Sequence, residues 1–183
     1  VKKIYLMLTR TESFVSKTVH MVTKDSYTHA SLAFDENLTE FYSSTRKNGK
    51  TIFPAGPSRE YLGRGFFARY GRTPCALYEL EVEDSVYDKA FEIARSFADN
   101  QKLYKFNAWG LITCRFGVPL YRKNKFFCSQ FVAEVLNRAN AVKLPKESGL
   151  IRPSDYMKVA EFKCVFTGDI KDVKNFKELT TTK

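Results

Sequence analysis

Histidine is scarce in this chain: His20 and His29 are the two among 183 residues. The four cysteines, Cys75, Cys114, Cys128 and Cys164, are scattered without any C-x-x-C spacing. A structural zinc site needs nitrogen and sulfur ligands at short paired spacings, so this pattern speaks against one. A chain of this size buries enough apolar surface to fold without cross-links, and the thiols are therefore read as reduced, which favours a cytoplasmic setting. Long hydrophobic runs are also missing. Between Lys3 and Thr9 only five apolar residues follow one another, too few for a signal-peptide core, and no run elsewhere reaches the length of a transmembrane segment. The chain opens on Val1 rather than Met, which leaves room for an upstream segment removed from it, and the reading of localisation inherits that condition. No internal repeat is present.

Acidic residues are in short supply as well. Twenty carboxylates face thirty lysines and arginines, a net charge of +10 with a pI near 9.4. The cations recur in three groups: Arg46, Lys47 and Lys50; Arg59, Arg64, Arg69 and Arg72; and Arg122, Lys123 and Lys125. Tyr61, Phe66, Phe67 and Tyr70 interleave the second group, a composition compatible with nucleic acid or an anionic membrane surface. No recognition motif of a nucleic-acid-binding fold accompanies it, so the plainer reading is a solvated basic face.

The hydrophobic periodicity predicts an α+β domain spanning residues 1–183, with a loop-rich basic insertion over about 45–74 and a polar tail over about 171–183. Lys2 to Thr9 reads as a strand with apolar residues on both faces, hence buried and central. Residues 12–23 carry Phe14, Val15, Val19 and Val22 near helical spacing, and His20 falls inside that helix as a structural residue. Tyr27 to Phe34 alternates again, and the Asp35-Glu36-Asn37 turn leads into a strand near Leu38 to Ser44, making a hairpin. The insertion holds five of the nine glycines and three of the six prolines, which predicts short strands and loops. Ala76 to Val82 forms a strand. A helix capped by Ser85 follows, its apolar stripe running through Ala90, Phe91, Ala94 and Phe97. A less regular helix covers 106–115, a third begins at Phe127 or Cys128, Pro153 opens a short helical turn, and Glu161 to Phe166 makes a last strand.

A cysteine in the first turn of a helix lies at the positive end of the helix dipole beside unpaired N–H groups, both of which favour thiolate. Cys128 has that placement. Cys75, Cys114 and Cys164 fall within elements and read as small core residues. A nucleophilic thiol needs a base, and imidazole suits the task near neutrality. His29 stands near a strand start, where a sheet can hold it against a helix end. Glu40, on the next strand of the hairpin, is the candidate to orient the imidazole; a turn centred near Glu36 puts residue 29 opposite residue 43 or so and Glu40 opposite residue 32.

These residues carry a resemblance. T-H-A-S-L-A-F-D (28–35) with T-E-F-Y-S (39–43), then K-F-F-C-S-Q-F-V-A-E-V-L (125–136), resemble the circularly permuted NlpC-type papain-like family, the YiiX-like and lecithin retinol acyltransferase-like proteins. In that family's permuted order the histidine strand precedes the cysteine helix, as here. The likeness runs from Lys2 to about Tyr156 and takes in K-L-Y-K-F (102–106) and R-P-S-D-Y (152–156). It implies a papain-like fold, an antiparallel sheet packed against a helix that carries Cys128 as nucleophile. It further implies His29 as general base and acid, Glu40 as the orienting residue, and Tyr104 near the site. Where acyltransferase relatives place a second histidine this chain has Glu40, which points to the hydrolase-like branch.

The resulting expectation is a cysteine hydrolase of amidase or peptidase type, or an acyltransferase, that opens an amide or ester through a thioester and uses no cofactor. The substrate would be a small peptide, an isopeptide or an acyl lipid, anionic by preference given the basic surface. The Cys128 backbone N–H would help hold the oxyanion. The contrasting reading is a non-catalytic binding module of the same fold that applies its basic surface to anionic lipid or nucleic acid.

Overall fold

Alternation in the first strand sends Ile4, Leu6 and Leu8 to one side and Tyr5 and Met7 to the other, and all five are fully buried. A strand buried on both faces belongs in the interior of a sheet. In the computed structural model, which describes residues 1–10, 25–46, 55–64 and 72–173, β1 (Lys2–Thr9) lies in a six-stranded antiparallel sheet with strands on either side of it. β2 (His29–Ala33) flanks it on one side, followed by β3 (Phe41–Arg46) and the edge strand β4 (Ala55–Glu60). On the other side lie β5 (Pro74–Val82) and β8 (Lys163–Asp169). A short parallel pair, β6 (Lys105–Phe106) and β7 (Lys125–Phe126), stands apart from this sheet.

Four α-helices occur among the described residues: α1 (Asp84–Asp99), α2 (Ala108–Arg115), α3 (Cys128–Ala139) and the single turn α4 (Pro153–Tyr156). Helices α1 and α3 pack on the face of Ile4, Leu6 and Leu8. Ala90, Ala94, Phe97, Phe131, Val132 and Val135 join those strand residues in the main core. The opposite face, with Tyr5, Met7, Ala33 and Phe41, is covered by Leu38, Leu62, Ile170 and Val173.

Several local expectations shift. Helix α1 starts at Asp84, with Glu83 rather than Ser85 in the capping position and no side-chain cap; Asp84 instead takes the Val1 amino group at 2.9 Å. The strand of the hairpin begins at Phe41, because Asp35 accepts hydrogen bonds from the Thr39 and Glu40 N–H groups and Leu38 adopts a left-handed conformation, which lengthens the turn. The basic insertion contains β4, whose register runs from Phe41 opposite Glu60 to Arg46 opposite Ala55. The predicted helix at 12–23 with His20, together with Lys47, Lys50, Phe66, Phe67, Arg69, Tyr70 and most of the polar tail, lies outside the described residues.

Candidate active site

The start of α3 is built from the sequence Phe127-Cys128-Ser129-Gln130. Phe127 is extended and fully buried, and Cys128 is the first helical residue. The first intrahelical bond of α3 runs from Phe131 N–H to the Phe127 carbonyl at 2.8 Å, and no side chain caps the end. The N–H groups ahead of it therefore point outward from the helix start beside the thiol. Three side chains fix this turn. Ser129 Oγ donates to the Ile151 carbonyl at 2.7 Å, and Tyr156 Oη donates to the Ser129 carbonyl at 2.8 Å, tying α3 to α4 and the segment before it. Gln130, 1% exposed, accepts from Asn107 Nδ2 at 3.3 Å. Asn107 in turn caps α2 by accepting from Gly110 N–H at 3.0 Å. A side chain at position 110 would have no room, since its Cβ would fall 2.1 Å from Asn107 Nδ2. The result is a Cys128 position braced by its neighbours Ser129 and Gln130.

His29 opens β2 opposite Thr9 of β1, and Cys128 Sγ lies 3.9 Å from the carbonyl of Thr28, the residue before it. The thiol adjoins the imidazole closely enough to act on its protonation. The imidazole Nε2 meets both oxygens of Glu60, at 3.0 and 3.1 Å. With Nε2–H donated to that carboxylate, Nδ1 is the nitrogen left for the thiol. The pair is secluded: the His29 side chain is 12% exposed and that of Glu60 3%. Thr9, Ser31 and Ser58 make the surrounding sheet face polar as well as buried.

Burial acts most strongly on His29 and by itself lowers its pKa. The adjacent Glu60 charge, with the hydrogen bonds to Cys128 and Glu60, more than reverses this and raises the pKa from 6.5 to about 10. The imidazole is thus cationic at neutral pH. A raised folded-state pKa stabilises the fold fully below the unfolded value of 6.5, and that contribution disappears as the pH climbs through about 10. Urea unfolding of the wild type should therefore shift to lower midpoints between pH 7 and pH 10, by more than in a His29→Gln variant. Parallel pH curves for the two proteins would count against a charged His29.

Cys128 and Glu60 are thus joined through His29, whereas Glu40 is not part of this cluster. Its carboxylate accepts from Tyr42 Oη and from Tyr61 Oη at 2.8 Å, and it pairs with Arg59 Nε at 3.0 Å. The reason is register and face. β2 and β3 pair Leu32 with Tyr42 and Ala33 with Phe41, two residues beyond the expected alignment. Alternation puts Glu40 in phase with Tyr42, which packs in the main core, and out of phase with His29, Ser31 and Ala33. Glu60, opposite Phe41, shares the face of His29. The sequence signal that could have located it is a lone carboxylate closing the Gly56-Pro57-Ser58-Arg59 stretch.

Tyr104 is also placed elsewhere. Its ring packs edge-on against Phe97 at 4.8 Å and tilts against Phe126 at 6.1 Å, and it lines a cavity of about 540 Å³ on the far side of α2. The crevice at Cys128 is bounded instead by Tyr27, Thr28, Leu111, Arg115, Arg152 and Pro153. Arg152 there pairs with Asp25 at 3.6 Å. Of the remaining thiols, burial pushes Cys75 up to about 12 and Cys114 up to about 11, while Cys164 is exposed on β8.

Among the described residues no group of three or more His, Cys, Asp or Glu side chains is placed to hold a metal ion, and no helix is long and apolar enough to cross a membrane. No protein-family model matches the chain, and no curated protein matches it. Solved structures do match. One is the crystal structure of the metalloprotein yiiX from Escherichia coli O157:H7, with a TM-score of 0.55 over 91% of this chain and 97% of that one, at 9% sequence identity. At that identity the likeness concerns architecture alone: the chain has a YiiX-like α+β fold, built on an antiparallel sheet with the cysteine helix packed against it.

Proposed function

We propose that the protein is a cysteine hydrolase or acyltransferase of the circularly permuted papain-like kind, with Cys128 as nucleophile, His29 as general acid and base, and Glu60 as the residue that orients and charges the imidazole. The observation that carries this reading is the buried chain of contacts from thiol to imidazole to carboxylate, His29 Nε2 lying 3.0 Å from Glu60. A buried carboxylate paired with an imidazolium adds little to stability compared with apolar packing, so a purely structural role gives weak reason to keep it. Next to a thiol at a helix start, the same pair promotes thiolate.

The chemistry follows from the positions. The Cys128 sulfur attacks the carbonyl carbon of an amide or ester, forming a C–S bond. The oxygen of the tetrahedral intermediate is held by the N–H groups at the start of α3. As the C–N or C–O bond breaks, His29 gives its proton to the leaving nitrogen or oxygen. In the second half, water or another acceptor hydroxyl or amine attacks the thioester while His29 takes its proton, and the thiolate leaves. Glu60 keeps Nδ1 aimed at the sulfur throughout and offsets the positive charge on the ring. Each step of this scheme is carried by Cys128, His29, Glu60 and the N–H groups at the start of α3.

The crevice has a volume of about 20 Å³, room for a reacting carbonyl group, and its rim carries apolar Tyr27, Leu111 and Pro153 beside Arg115. That composition suits a small peptide, an isopeptide or an acyl lipid bearing negative charge. Treatment with iodoacetamide at pH 6, in a Cys164→Ser background that removes the exposed thiol, should modify Cys128 at least about tenfold faster than Cys75 or Cys114 by peptide mass. A p-nitrophenyl ester should give a burst of nitrophenol stoichiometric with protein and leave its acyl group on Cys128. Equal labelling of the three thiols, with no acyl adduct, would sink the proposal.

A further inference from the structure

A second feature lies on the other side of α2 from the thiol. On this eight-residue helix Gly110 and Cys114 face inward, which turns Trp109, Ile112 and the following Phe116 outward on one stripe, at 62%, 51% and 77% exposure. Val118 and Tyr121, each more than half exposed, extend the stripe along the next loop, and Leu103 adds to it from the other side. Isolated exposed apolar residues are ordinary, but six large ones within nineteen residues form a patch, and such patches mark interaction surfaces.

Cations border this patch. Trp109 also lines the cavity of about 540 Å³, whose wall includes Lys102, Lys105, Arg122 and Lys125. Lys105 and Lys125 are direct partners in the parallel pair β6–β7, and Arg122 bridges to Lys125. Like charges set opposite each other on a ladder repel. Among the described residues no carboxylate pairs with any of these four side chains or with neighbouring Lys123, although ion pairs are formed by Lys2, Lys3, Arg59, Lys146 and Lys163 elsewhere. Concentrated positive charge without internal compensation suits an anionic partner.

We propose that α2 and the β6–β7 ladder form a docking surface for an anionic phospholipid bilayer, with Trp109, Ile112 and Phe116 entering the interface and the Lys105–Lys125 cavity receiving a headgroup phosphate. Apolar side chains encircled by lysine and arginine are what binding at an anionic lipid surface requires, each part contributing separately. Nucleic acid would use the cations and the rings of Trp109 and Phe116 but leaves Leu103, Ile112 and Val118 without a role, since aliphatic side chains offer no flat ring to a base. Docking would also set the Cys128 crevice beside the bilayer, because Leu111 and Arg115 of the same helix line it.

The chain carries a single tryptophan, so Trp109 fluorescence reports on this surface alone. Adding vesicles of phosphatidylcholine with about a quarter phosphatidylglycerol should shift its emission to the blue and float the full-length chain, and pure phosphatidylcholine should do neither at the same lipid concentration. Phe116→Ser should weaken partitioning about tenfold, as removal of one interfacial aromatic predicts. Lys105→Glu with Lys125→Glu should weaken it by more than about tenfold and reduce its sensitivity to salt. Both sets alter solvent-exposed or half-buried side chains, and far-UV circular dichroism checks that each variant is folded. Cys128→Ser should bind as the wild type does, which separates this surface from the thiol chemistry. Equal binding to neutral and anionic vesicles overturns the proposal, as does wild-type partitioning by Phe116→Ser. So does a dimer that buries Trp109 without any lipid response, or an emission shift produced by inorganic phosphate or oligonucleotide but by neither vesicle.

Discussion

Substituting alanine for His29 is expected to slow alkylation of Cys128 by iodoacetamide at pH 6 by about two orders of magnitude, because an unpaired thiol is only about 0.3% thiolate at that pH. In the wild type the imidazole beside the sulfur is cationic, its pKa raised to about 10 against the pull of burial, so it remains charged across the whole range in which a thiol titrates. The difference between wild type and His29→Ala should accordingly be largest at pH 6 and should narrow toward pH 8. Turnover of any ester or amide substrate should fall by a larger factor, since the same variant removes the proton donor to the leaving group as well as the partner of the thiolate. His29→Ala also leaves the buried Glu60 carboxylate without its partner, so far-UV circular dichroism at pH 6 should accompany the rate to show that the variant is folded. A His29→Ala protein that alkylates at the wild-type rate at pH 6 would remove His29 from the site.

Glu60 should show the second large effect, on stability and reactivity together. Glu60→Ala leaves the imidazolium of His29 without its carboxylate in a secluded place, and breaking a buried ion pair from one side costs about 3–5 kcal/mol. Part of that cost is avoided by deprotonation: with the raising influences reduced, burial prevails and the His29 pKa falls, so Cys128 loses its cationic neighbour at neutral pH. Chemical denaturation should show the destabilisation, and alkylation at pH 6 should drop toward the His29→Ala rate. Glu60→Gln, which keeps an acceptor for Nε2–H, should lie between. Glu40→Gln supplies the contrast. It disturbs Arg59, Tyr42 and Tyr61, and alkylation of Cys128 should stay within about twofold of wild type, as for a change without contact to the site. If Glu40→Gln slowed alkylation as much as Glu60→Gln, the assignment of the orienting carboxylate would be wrong.

The arrangement links Cys128 to two helices that are distant from it in the chain. Cys128 is held by Ser129 and Tyr156 against α4 and by Gln130 and Asn107 against α2. Helix α2 then has the thiol crevice on one side and the basic cavity on the other, with its apolar stripe facing outward between them. A movement of α2 on contact with a surface would be felt at Asn107 and Gln130, and so at the first turn of α3.

Local features of this protein were legible in its residues. The apolar faces of β1 place it inside the sheet, the stripe of α1 matches the side it buries, and the helical spacing of Phe131, Val132, Val135 and Leu136 predicts a helix that the structure starts at Cys128. Each depends on periodicity within one segment, which a sequence carries directly. The identity of the acid on His29 does not. It depends on a two-residue change of register between β2 and β3 and on the pairing of β4 with β3, and a one-residue change alone would exchange the faces of a strand. The glycines and prolines around Glu60 erase the alternation that would have shown which way it points. The lysines of the basic cavity are twenty residues apart in the chain and become neighbours only when β6 and β7 pair. Sequence by itself located β1, β5, α1 and the helix of Cys128 and singled out Cys128 and His29; tertiary structure decided that Glu60, not Glu40, meets His29, because only strand pairing sets which side chains share a face.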